Sequence, residues 1–83
     1  MELKQAYILL KEEHKKCRLA SKLSSKAKLQ KEVKQIENHV WDIFQQCPEL
    51  YCFVPYEGEF FVTSTFMGDF DRLMEKLDKM NLN

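Results

Sequence analysis

Apolar residues recur with helical spacing along the first half of the chain. Leu3, Tyr7, Leu10, His14 and Cys17 follow one another at intervals of four and three, as do Leu29, Val33, Ile36, Val40, Ile43 and Cys47. Each set falls on one stripe of an α-helix, the pattern of a helix packed on one face. The two stripes are out of phase, because continuing the first repeat leads to Lys31, Asn38 and Gln45. The break falls within 21–26, where Ser21, Ser24 and Ser25 compete for backbone hydrogen bonds and favour helix ends. The pattern predicts two antiparallel helices within 1–47, joined by a turn near 21–26, with Ser24 or Ser25 as the N-cap of the second. The competing reading is one long kinked helix, which would need a second copy of the chain to cover its stripe.

Residues 1–47 contain no Gly or Pro, whereas both of each lie between 48 and 68. Pro48 ends the second helix. Leu50 to Tyr56 and Glu59 to Phe66 are then rich in aromatic and β-branched residues around Glu57-Gly58. That composition predicts a β-hairpin over 50–66, with Gly58 supplying the turn and Pro55 confined to an outer edge or the turn itself. Trp41 and Phe44, which flank the second stripe, are expected to form its core contact. Asp69, following Gly68, is expected to cap a final helix over 69–81, whose apolar face is Phe70, Leu73, Met74, Leu77 and Met80. The expected fold class is α+β: an antiparallel helical hairpin, a two-stranded β-hairpin and a C-terminal helix (ααββα) in one small domain spanning 1–83.

Composition narrows the setting. A chain of 83 residues with 45% apolar content can build one modest core. Three cysteines, Cys17, Cys47 and Cys52, are too few and odd in number for a secreted disulfide scaffold. The first residues show no basic region followed by an apolar run, and the longest apolar stretch, Ala6 to Leu10, is far too short to span a bilayer. A soluble protein of the cytoplasm is expected.

Charge adds the one feature that points outward. Eight of the thirteen basic residues lie in 15–34: Lys15, Lys16, Arg18, Lys22, Lys26, Lys28, Lys31 and Lys34, against the single acid Glu32. Residues 35–71 hold seven acids and no Lys or Arg, so a formal net charge of zero conceals a dipolar molecule. A dense patch of one sign steers partners even on a neutral protein. Lys26 and Lys28 also fall in the expected first turn of the second helix, where the helix dipole disfavours cations. This arrangement argues for an anionic partner at the tip.

The chemical alternatives are weaker. His14 and Cys17, with Cys47 and Cys52, have the residue types of a zinc site. A folded hairpin, however, separates Cys17 from Cys47 by roughly 27 Å of helix, too far for one ion. His14 and Cys17 share a helix face, but a stripe turned towards a second helix leaves no room for substrate, and His39 is expected to be solvated. Two glycines cannot write a phosphate loop. No enzyme activity, catalytic residue, metal or cofactor is expected. The rings of 51–66 carry no interleaved Lys or Arg, which disfavours base stacking there. Val54, Tyr56 and Phe61 instead read as a protein interface on the hairpin. The expectation is a small non-enzymatic interaction protein, an adaptor or inhibitor, using the basic tip, the aromatic hairpin or both. The alternative is a nucleic-acid-binding regulator that uses 15–34. The charge split also permits a homodimer, and a membrane partner is not expected.

Overall fold

A computed structural model of the chain describes residues 1–53 and 66–82. They form α1 (Leu3–Leu23), α2 (Lys26–Gln46), a 3-10 helix (Pro48–Phe53) and α3 (Phe66–Lys79). Helices α1 and α2 make the antiparallel hairpin, since the Met1 amino group donates to the Gln46 carbonyl (2.9 Å) at the end opposite the turn. The turn is two residues long. Ser24 ends α1, its backbone N–H donating to the Ala20 carbonyl (2.9 Å). Ser25 begins α2, its hydroxyl accepting from the Lys28 backbone N–H (3.4 Å). A cap at each serine restarts the helix with a new phase, which is why the two apolar stripes do not continue one another.

The expected α+β class is incorrect: the described residues contain no strand, and the fold they form is all-α. Where the first strand of the β-hairpin was expected, Pro48–Phe53 is a 3-10 helix. The Leu50 N–H donates to the Cys47 carbonyl (3.0 Å), and Cys47 and Leu50 are both fully buried while Cys52 is exposed. Phe53 packs partly buried against the same core. Burial at 47, 50 and 53 has the three-residue period of a 3-10 helix; a strand would bury Leu50 and Cys52 together. The rest of the expected hairpin, 54–65, lies outside the described residues, and with it Val54, Tyr56 and Phe61.

The final helix begins at Phe66, three residues before the expected cap at Asp69. Phe66 is buried against Phe70, ring centroids 5.4 Å apart, and so extends the face Phe70, Leu73, Leu77 backwards by one turn. Asp69 therefore sits inside the first turn, still at the positive pole of the dipole. The other end stops at Asn81, which takes a left-handed φ of 58°. Asn tolerates that region, and it turns Leu82 back onto the core. Met80, expected on the apolar face, is exposed.

Helix α3 runs antiparallel to α1. Its Asp71 carboxylate meets the His14 imidazole, and its Asp78 carboxylate accepts from the Tyr7 hydroxyl. Seven residues forward on α3 thus match seven residues back on α1. The bond to Asp78, aided by burial and by the nearby negative charge, raises the Tyr7 pKa. The core lies between the three helices and the 3-10 segment, where Leu10, Val40, Phe44, Leu50, Phe70, Leu73 and Leu77 are essentially inaccessible. Phe44 makes an edge-on contact with Tyr51 (5.1 Å), so it meets the 3-10 helix where a hairpin was expected. Lys76 ties the far end of that segment to α3 by donating to the Phe53 carbonyl (3.1 Å).

Candidate functional site

All eight basic residues expected to contact an anionic partner are exposed. Lys15, Lys16, Arg18 and Lys22 occupy the last turns of α1, and Lys26, Lys28, Lys31 and Lys34 the first turns of α2, on either side of the turn at Ser24 and Ser25. Three of them have acidic neighbours: Lys16 with Glu13 (3.1 Å), Lys28 with Glu32 (4.0 Å) and Lys34 with Glu37 (3.8 Å). Lys15, Arg18, Lys22, Lys26 and Lys31 make no ion pair among the described residues. Lys26 and Lys28 do fall in the first turn of α2, which carries no acid. Each cation there opposes the partial positive charge of the helix start.

Two of the recesses at the closed end lie against α1, on different faces. One, of about 430 Å³, lies between α1 and α3 and is lined by His14, Cys17, Arg18, Lys22, Phe70 and Asp71. The other, of about 400 Å³, lies between α1 and α2 and brings Lys16 together with Lys28. Leu19 and Leu23 stand on its wall at 59% and 76% exposure, the two most exposed large apolar side chains described. Helical periodicity alone gave no notice of this second, outward-facing stripe.

The recess against α3 corrects the expectation that the His14 stripe leaves no room. His14 faces α3 rather than α2, its ring edge-on to Phe70 (5.0 Å) and its Nε2 on the Asp71 carboxylate. A Cys, a His and an Asp therefore line one cleft. Nucleophilic chemistry needs the thiolate, and here burial, followed by the charges of Glu13 and Asp71, pushes the Cys17 thiol up to about 11. No hydrogen bond links Cys17 to His14 among the described residues. The arrangement keeps the thiol protonated, as suits a small apolar core residue.

His39 is largely exposed, with its Nδ1 3.7 Å from Glu13. Glu13 itself is nearly buried between Lys16 and His39, one turn from the second recess. Among the described residues no group of three or more His, Cys, Asp or Glu side chains could hold a metal ion, and no helix is long and apolar enough to cross a membrane. Cys17 and Cys47 are buried, and all three cysteines are free. Comparison with protein-family models, curated proteins and solved structures finds no match.

Proposed function

We propose that this chain is a small helical, non-enzymatic interaction protein whose basic closed end docks on an acidic surface of another protein. The observation that carries this reading is the set of exposed cations at the closed end, five of which make no ion pair among the described residues, with Lys26 opposing the α2 dipole as well. A fold selected for stability alone gains from placing acids at that point. A partner that supplies the missing negative charge accounts for their absence and gains in association rate from the concentrated field.

A phosphate backbone also matches the eight cations, and nucleic-acid binding is the competing reading. Leu19 and Leu23 favour a protein, because a phosphate backbone has no use for exposed leucines among the lysines. The test is a titration of the purified chain with fluorescein-labelled poly-glutamate and with a labelled DNA duplex over a range of salt. Binding to poly-glutamate that weakens with salt, and weakens further when Lys22, Lys26 and Lys31 are all replaced by Gln, is the expected result. Absence of binding to poly-glutamate at low salt overturns the proposal, and tight binding to the duplex alone transfers it to nucleic acid.

A further inference from the structure

We infer that the recess between α1 and α2 at the closed end seats the apolar stripe of an acidic amphipathic helix from a partner protein. This deepens the proposed function and rests on it. The recess has a floor of Ala20 and Ile36, walls that include Leu19 and Leu23, and one lysine on each helix, Lys16 on α1 and Lys28 on α2. Ala20 and Ile36 are at 7% and 6% exposure, so the floor is finished by this chain's own packing, whereas the leucines above it are left in water. From Lys16 to Leu23 the recess follows α1 for roughly 10 Å, about two turns. That length matches two apolar side chains spaced one turn apart on a partner helix, the spacing of helix-in-groove recognition.

Charge selects the occupant. A helix lying in the recess meets Lys16, which pairs with Glu13 (3.1 Å), along one flank and Lys28 along the other, within an end of the molecule that carries eight cations, so its apolar stripe is best bordered by carboxylates on both sides. Duplex nucleic acid offers the charge without a stripe to fill the floor. A bilayer offers apolar depth to a convex surface, while these leucines border a concave one. Glu32 is the one acid of the recess. It is held by the Ser24 hydroxyl (3.0 Å) and lies 4.0 Å from Lys28, so it diminishes the positive charge on the α2 side. One turn further from the closed end, Glu13 and His39 approach across the two helices and mark the inner limit of the apolar surface.

The experiment uses three labelled synthetic helical peptides: one with two Leu one turn apart bordered by Glu, the same peptide with Ser for Leu, and the same with Lys for Glu. Anisotropy titrations with the full chain are expected to show binding of the first, and binding of the Ser peptide weaker by about tenfold, equivalent to about 1.4 kcal/mol. Leu19→Ser and Leu23→Ser should each weaken the first peptide by a similar factor while leaving the melting temperature unchanged, and Glu32→Gln should tighten it. The Lys peptide should not bind. If the Leu and Ser peptides bind alike and Leu19→Ser has no effect, the recess is overturned while the basic-end proposal stands. If no acidic peptide binds at low salt, both fail. Leucine-dependent binding to phosphatidylserine vesicles, with no peptide binding, overturns the helix occupant in favour of a membrane.

Discussion

Replacing Lys26 by Glu should make the protein more stable and a poorer partner at the same time. Lys26 is the first residue of α2, is exposed, and makes no ion pair among the described residues. Lys and Glu have nearly equal helix propensity, so the exchange isolates charge. Removing a cation from the helix start and placing an anion there are each worth about 0.3–1 kcal/mol at low salt. Relief of repulsion among neighbouring lysines acts in the same direction. An overall gain of about 1 kcal/mol corresponds to about 4–8 °C in Tm for a domain of this size. Lys26→Gln should give about half of that. Thermal melts followed by circular dichroism at low salt and at about 1 M salt make the test, because a Debye length of about 3 Å at the higher salt removes most of the effect. The Ser25 cap is left in place, since it engages the Lys28 backbone. An unchanged or lower Tm at low salt, with helix content intact, refutes the reasoning. A gain that persists at high salt refutes it too, by showing a cause other than charge. Binding of the same variant to poly-glutamate should weaken, and that opposition between stability and binding is what separates a docking charge from a merely solvated one.

Leu50→Ala should cost about 2–5 kcal/mol in denaturant unfolding, because Leu50 is fully buried in the 3-10 segment. Cys52→Ala should stay within about 0.5 kcal/mol of the parent, and a large loss there would return the segment to a strand period. At neutral pH Cys52 should react with iodoacetamide well before Cys17 and Cys47, as read by mass spectrometry, since it alone of the three is exposed. Because the folded state holds the Cys17 proton up to about 11 and an unburied thiol loses it near 9.0, stability should fall as pH rises through that interval. Cys17→Ala should flatten that part of the profile in alkaline denaturation series.

Helices α1 and α2 are legible in the sequence because burial on one face imposes a period that residues such as Leu10, Val40 and Ile43 obey without local competition. The segment after Pro48 is not, because six residues admit two periods. Leu50, Cys52 and the residues beyond read as a strand by composition, while Cys47, Leu50 and Phe53 read as a 3-10 turn. Burial of Leu50 in the core that Phe44 and Tyr51 also join decides between them, and no local pattern reports it. The start of α3 is legible in the four-three-four spacing of Phe66, Phe70, Leu73 and Leu77, but the Gly68-Asp69 pair carries a competing cap signal three residues later. The cluster of His14, Cys17 and Asp71 was beyond reach. It depends on α3 running antiparallel to α1, which brings together residues 57 apart in the chain. Leu19 and Leu23 were visible as residues but not as a wall, because a groove needs the partner helix α2 in place.

The basic end differs from the C-terminal helix of the same chain. Helix α3 follows the dipole rule at both ends, with Asp69 in its first turn and Lys76 and Lys79 in its last. Its end at Asn81 and the Ser25 start of α2 likewise agree with local chemistry. Helix α2 has no acid in its first turn, and lysines occupy that turn instead. Agreement across levels is what makes a sequence specify one structure, and departures concentrate where something other than stability is served. Here two independent departures meet at one place: cations where a helix start disfavours them, and leucines left 59% and 76% exposed beside them. Charge alone would be met by any polyanion, and exposed leucines alone by any apolar surface. A partner that joins an apolar stripe to flanking carboxylates relieves both departures in one contact, which is the physical reason for proposing the α1–α2 recess, and not the His14 cleft, as the docking surface.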